Sequence, residues 1–283
     1  MLGIIGGTGI YAIDGLEVIR EHRVDTPFGV PSAPVLHGRL GLTEVIFLPR
    51  HGRQHELLPH EVNYRANIYA LKTLGVRQII ALSAVGSLRQ AIAPGDFAIP
   101  SQYVDWVRGN REKTFFGGGL VAHVSSAEPT CARLASTLEA TATELRLPIH
   151  SGAVYGCVDG PRLGTRAESH FLRDAMACDV VGMTNVPEVF LAREAQICYC
   201  TLGIVTDYDC WLEDPAQHAT VAAVIARYAE SLGRARQILA RILSTGLPDY
   251  DACPCRHALS DAVLTPEGAV PANKRELLQI LRA

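Results

Sequence analysis

Three features of this chain predict an α/β fold, a central mixed β-sheet flanked by helices: strand-like and helical runs that alternate, turns loaded with glycine, arginine and carboxylate just after the strands, and a composition able to fill one large core. At 283 residues, with 48% hydrophobic and 19% charged side chains, the chain can bury one sizeable core or at most two modest ones. No linker-like stretch or shift of composition divides residues 1–245, and no repeat or low-complexity tract occurs. The expected organisation is a single domain over residues 1–245, followed by a tail, residues 246–283, whose short final helix docks on the same domain. Runs rich in Ile, Val and Leu place strands at about 2–5, 34–38, 44–48, 78–83, 96–99, 152–158, 179–182 and 197–205. Helical spacing falls at 60–74, where Pro59 leads and Val62, Ala66 and Tyr69 mark an apolar face, and at 130–145, 166–176, 187–195, 217–243 and 273–282.

Charge narrows the functional classes. A formal net charge of −3 gives no electrostatic footprint for nucleic acid or an anionic membrane surface, so any phosphate handled here is small and locally held. The chain opens directly in a strand-like run without a signal-peptide pattern, and no window approaches the roughly eighteen apolar residues of a membrane span. The expected compartment is the cytoplasm. Eight cysteines are too sparse for a disulfide scaffold, and Cys157, Cys178, Cys198 and Cys200 sit in apolar runs where buried thiols are common. Cys253-Pro254-Cys255 differs, because it crowds two sulfurs into an irregular tail. It fits a metal half-site, a strained redox pair or a chance placement. With no second Cys/His pair at zinc spacing, no metal site is expected.

Chemistry concentrates at strand ends. The apolar run 197–205 is followed by Thr206-Asp207-Tyr208-Asp209-Cys210-Trp211, which puts two carboxylates where ligands bind in an open α/β sheet. A carboxyl shielded from water has its pKa raised, which suits a general acid; the alternative is a solvated acidic loop. After the first strand, Gly6-Gly7-Thr8-Gly9 offers converging backbone N–H groups and a hydroxyl, a phosphate nest or simply a tight turn. From Gly7 the same stretch gives G-x-G-x-x-A, a dinucleotide fingerprint, and with it a second hypothesis, an NAD-dependent oxidoreductase. That fingerprint needs a helix opening at the glycines, and Asp14-Gly15 places a turn there instead. Leu48 to His55 carries Arg50, His51, Arg53 and His55, a compact set of anion donors or a solvated loop. Ser83-Ala84-Val85-Gly86-Ser87 adds hydroxyl and backbone donors after another strand. The absence of G-x-x-x-x-G-K-[ST] argues against nucleoside triphosphate hydrolysis. Donor clusters and a carboxylate pair together suggest one pocket for a small anion and a proton-accepting heterocycle.

Over residues 2–243 the chain resembles the methylthioadenosine phosphorylases of the trimeric purine nucleoside phosphorylase family. The carriers are GGTGI at 6–10, PRHGRQH at 49–55, VNYRANIYALK at 62–72, SAVGSL at 83–88, AEP at 127–129, DGPRLGTRAES at 159–169, GMTNVPEVFLAREA at 182–195 and TDYDCW at 206–211. The resemblance implies a single-domain nucleoside-phosphorylase fold and phosphorolysis of 5'-methylthioadenosine to adenine and 5-methylthioribose 1-phosphate, a step of purine and methionine salvage. A 6-oxopurine nucleoside or methylthioinosine is the alternative substrate. By the same resemblance Thr8, Arg50, His51, Ser83, the Ala84 amide and Thr184 match the phosphate positions, and Met183 lies beneath the ribose. Asp207 and Asp209 match the pair facing N7 and the 6-amino group of adenine. His123 matches a residue that a neighbouring subunit contributes beside the 5' substituent, implying a homotrimer. No metal or organic cofactor is implied; inorganic phosphate is a co-substrate. Leu163 and Gly164 depart from the aromatic residue and serine usual in adenosine-type members, leaving one base-pocket wall less aromatic and less polar, and Ser83 replaces the more usual threonine. The tail C-x-C resembles one that forms disulfides in thermophilic members, with Cys198 a further partner.

Overall fold

A computed structural model describes residues 1–7, 13–214, 218–248 and 250–283. The alternating pattern is realised as a mixed sheet of nine strands among the described residues: β1 Leu2–Gly6, β2 Glu17–His22, β3 Val35–Leu40, β4 Thr43–Pro49, β5 Gln78–Ser87, β6 Phe97–Trp106, β7 Ile149–Val158, β8 Val180–Gly182 and β9 Cys198–Asp207. Their spatial order is β2-β3-β4-β1-β5-β8-β7-β6-β9, and β9 returns to pair with β5, closing the far part of the sheet on itself. β1, β4, β5 and β9 run parallel, with Ser83 level with Gly203 and Gly86 level with Asp207. Their carboxyl ends therefore gather on one rim.

The helices are α1 Tyr64–Thr73, α2 Ala132–Glu144, α3 Arg166–His170, α4 Asn185–Glu194, α5 Val221–Thr245 and α6 Ala272–Arg282. Alternation along the central strands explains why both faces need cover. On β1, Ile5 joins one core cluster while Leu2 and Ile4 join the other; on β4, Ile46 and Leu48 separate from Val45 and Phe47 in the same way. Residues of α1, α4 and α6 fill the first cluster, and residues of α2 and α5 the second. Each fully buried Ile or Leu contributes about 1.5–3 kcal/mol of transfer free energy.

Some boundaries move from the sequence expectation. α1 begins at Tyr64 instead of residue 60, because the Asn63 side chain accepts from the Ala66 N–H at 3.1 Å and caps it there. The stretch 166–176 divides into α3, opened by a capping box between Thr165 and Glu168, and a π-helical turn at Phe171–Ala175. β6 runs well past residue 99. β2 was not expected at all; its residues are nearly all exposed, so the buried apolar run that marks an inner strand is missing. In the tail, Leu277 and Leu281 of α6 are buried in the core cluster that contains α1.

Candidate active site

Carboxyl ends of β1, β4, β5, β8 and β9 surround a cavity of about 830 Å³ that Gly7, Arg50, His51, Ser83, Ala84, Met183, Thr184, Asp207, Asp209 and Leu163 all line. The first turns of α5, through Val224 and Tyr228, add one wall. A separate cleft of about 660 Å³ near Met1 and Tyr250 contains none of these residues. Nine of the expected site residues, all of these but Gly7, thus line one cavity. Thr8 lies outside the described residues. His123 is not part of the cavity: it is exposed in a loop whose backbone pairs with Ala262.

Arg50 follows β4, where its N–H donates to the Gly6 carbonyl at 2.9 Å, joining the two glycine- and arginine-bearing turns. Its guanidinium is 2% exposed and already engaged: Nε and Nη2 donate to Glu188 at 2.7 Å each, and Nη1 donates to the Leu82 carbonyl at 2.9 Å. Burial works against the Arg50 charge, but the Glu188 carboxylate more than offsets it and holds the pKa above the ordinary arginine value. Arg50 is therefore one half of a buried, hydrogen-bonded ion pair and not part of a solvated loop. Two of its five N–H groups are left by these bonds to face a ligand.

His51 also differs from expectation. Its Nδ1 lies 2.8 Å from the Leu57 carbonyl, which can only accept, so Nδ1 carries the proton. Burial, followed by the Arg50 charge, pulls the His51 pKa down to about 4. Near neutral pH the ring is uncharged, and Nε2 is an acceptor.

Ser83 on β5 and Thr184, which precedes α4, bring their hydroxyls within 3.3 Å of each other. Both are nearly buried, so the pair offers two positioned donors to a bound anion.

The carboxylate pair sits at the end of β9. Thr206 Oγ1 donates to Asp207 Oδ2 at 2.6 Å, and the Asp209 N–H donates to Asp207 Oδ1 at 2.7 Å. Burial raises the pKa of both Asp207 and Asp209. Gly86 makes room for them: a Cβ there would stand 3.0 Å from Asp207 Oδ1 and 3.3 Å from Asp209 Cβ. Gly160 has φ +67° and touches Met183, so a side chain at 160 would meet both backbone strain and the methionine sulfur. Ser169, also at the cavity, is 1% exposed, and its Oγ, beside Asp209 and Cys210, makes no well-formed hydrogen bond among the described residues.

Three contributors escaped the sequence reading. Glu188 is one; its signal was a carboxylate inside the apolar stretch Val186 to Ala192. Ser169 is the second. Arg111 is the third, and nothing in its local sequence marks it. Its Nη1 donates to the Met183 and Val186 carbonyls at 2.8 and 2.7 Å, and Nη2 donates to the Asp159 carbonyl at 2.8 Å, so one side chain fixes two of the site's segments.

The comparisons agree with this geometry. The phosphorylase superfamily profile matches residues 1–244. The chain is 45% identical over 281 residues to an S-methyl-5'-thioadenosine phosphorylase of Geobacter sulfurreducens, covering 99% of this chain and 97% of that one. A methylthioadenosine phosphorylase from an antarctic soil metagenomic library superposes with a TM-score of 0.90 at 41% identity, over 99% of this chain and 98% of that one. A methylthioadenosine phosphorylase of Schistosoma mansoni in complex with adenine gives 0.87 at 36% identity, over 93% and 98%. With a strand-end cavity that joins an anion cluster to a carboxyl pair, and with full-length identity at this level, the chain belongs to the phosphorylase superfamily.

Proposed function

We propose that this protein cleaves S-methyl-5'-thioadenosine by phosphorolysis, giving adenine and 5-methylthioribose 1-phosphate. The observation that carries the reading is the joining, in one cavity, of a carboxyl pair with raised pKa and a cluster of anion-binding groups. Cleavage of an N-glycosidic bond leaves a cation-like C1' and an electron-rich purine, so the base needs a proton and C1' needs a nucleophile held close. Asp207, protonated, donates to N7 as the C1'–N9 bond breaks; its own proton is then recovered from solvent. Such an acid is worth about 10²–10⁴ in rate. Asp209 accepts from the 6-amino group. Phosphate takes hydrogen bonds from Arg50, Ser83 and Thr184 and donates its P–OH to Nε2 of neutral His51, while one oxygen forms the new bond to C1'. Met183 lies under the ribose. The chemistry is complete with the two substrates and these side chains, without a metal or organic cofactor.

The same reading makes the protein a cytoplasmic homotrimer in which His123 reaches the neighbour's 5' substituent. Its supports are the exposure of His123 and the exposed apolar side chains Leu163, Val221 and Ile225 on cavity-lining segments, which a neighbouring subunit can cover. No helix among the described residues is long and apolar enough to cross a membrane. The deciding assay offers methylthioadenosine, adenosine, methylthioinosine and inosine with and without phosphate. Methylthioadenosine is expected to turn over fastest, and only with phosphate present. Equal cleavage in phosphate-free buffer would make the protein a hydrolase, and faster turnover of the 6-oxo substrates would reassign the base pocket.

A further inference from the structure

Far from the reaction chemistry, the fold gathers four cysteines that the chain keeps apart. Cys131, Cys198, Cys253 and Cys255 are all buried, and their sulfurs lie within 4.8 Å of one another. They come from three settings. Cys131 is the N-cap of α2, and its side chain makes no capping hydrogen bond. Cys198 opens β9. Cys253 and Cys255 flank Pro254 in a 3₁₀ turn that the Arg256 N–H closes on the Cys253 carbonyl at 2.8 Å, which holds both sulfurs toward the core. The second cysteine pair missing from the local sequence around residue 253 is thus supplied by tertiary structure.

We propose that these four residues form a tetrathiolate site for a thiophilic divalent cation, with zinc the ion that fits, and that this site pins the tail to α2 and β9. A tetrahedral zinc with Zn–S bonds of about 2.3 Å has sulfur–sulfur edges of about 3.8 Å. Cys131 Sγ and Cys253 Sγ stand at 3.7 Å, and the widest separation needs to close by only about 1 Å. Soft thiolates in a closed, four-coordinate and water-poor setting select zinc over magnesium or calcium, which take oxygen ligands. Binding expels the four thiol protons and leaves a net charge of two minus on the centre. The structure holds a donor against that charge: Arg193 Nη1 donates to Cys255 Sγ at 3.3 Å. No position of the substrate cavity is involved, so the site is structural and independent of the proposed reaction.

The test uses the full-length protein, purified under thiol-reducing conditions, incubated with zinc and then desalted. Metal analysis is expected to find about one zinc per chain, and cobalt exchange should give the visible absorption of a tetrahedral thiolate complex. Cys131→Ser and Cys255→Ser should each lower retained zinc at least tenfold, whereas Cys210→Ser, outside the cluster, should retain it. A chelator strong enough to strip the ion should lower Tm while phosphorolysis below that temperature persists. The unmodified protein decides the matter if a variant fails to fold. Reduced protein that retains less than a tenth of an equivalent and shows no cobalt–thiolate absorption overturns the site. So does protein, thiol-blocked in cells and digested, whose peptides show Cys131, Cys198, Cys253 and Cys255 joined in two disulfides.

Discussion

At the scale of single residues, the carboxyl pair trades stability for chemistry. Asp207 holds its proton more tightly in the folded chain than in the unfolded one, because burial opposes its charge. Between the two pKa values the folded state binds more protons, so stability falls as pH rises through the raised value. Asp207→Asn keeps the shape and removes the charge. It should lower turnover of methylthioadenosine at least tenfold, yet near pH 8 it should melt higher than the parent, by about 2–4 °C if about 1 kcal/mol is relieved. In the parent, kcat/KM should decline on the alkaline side as the acid ionises. A pH–rate profile and a melting curve on the same preparation check both signs. His51 has the opposite sense. Its folded-state pKa of about 4 lies below the ordinary 6.5, so the unfolded chain binds more protons between those values and stability is lost as pH falls from 6.5 toward 4. That loss cannot exceed about 1.4 kcal/mol per pH unit. His51→Gln should flatten this slope in denaturant unfolding followed across the window, and should raise KM for phosphate more than it changes kcat.

At the scale of elements, α4 braces Arg50 at the rim of the cavity. Tyr199 of β9 donates its hydroxyl to Glu188 Oε1 at 2.9 Å, so the carboxylate on α4 is braced by a strand on one side and by Arg50 on the other. Glu188→Ala leaves a buried, uncompensated guanidinium and should cost about 3–5 kcal/mol in chemical denaturation. Arg111→Ala should act on positioning: with the Met183, Val186 and Asp159 carbonyls released, kcat should fall and KM for the nucleoside rise together, with KM for phosphate less affected. These two residues also mark where sequence reasoning stops. Strand-end motifs were legible because their chemistry is local: TDYDCW follows an apolar run, and PRHGRQH packs its donors into a few residues. Apolar periodicity made the parallel strands legible as well. Arg111 was not, because its partners are backbone carbonyls that only the folded chain brings near it. The closure of β9 onto β5 and the meeting of Cys131 with Cys255 were hidden for the same reason. Arg50 was legible as a strand-end arginine but not as half of an ion pair, since the distance from Arg50 to Glu188 along the chain carries no sign of contact.

At the scale of the whole molecule, one chain supplies a cavity rimmed by apolar side chains and leaves out a residue that its family resemblance assigns to the site. His123 is exposed and apart from the cavity, while Val221 and Ile225, each 63% exposed, present apolar surface on the helix that walls it. Both features suit an assembly in which a neighbour's loop covers the 5' end of the nucleoside. Complementation between defective subunits separates this from a surface histidine. On the proposed mechanism and assembly, Asp207→Asn destroys the acid of its own cavity, and His123→Ala removes the side chain lent to the neighbour's. Coexpressed, a His123→Ala subunit that borrows the loop of an Asp207→Asn subunit regains a site with both groups, so mixed assemblies should exceed the average activity of the two pure variants. The gain should be largest for methylthioadenosine and smaller for adenosine, whose 5' hydroxyl makes less apolar contact. Activity equal to that average, or a fully active monomer by light scattering, would place His123 outside the site and leave each cavity complete within one chain.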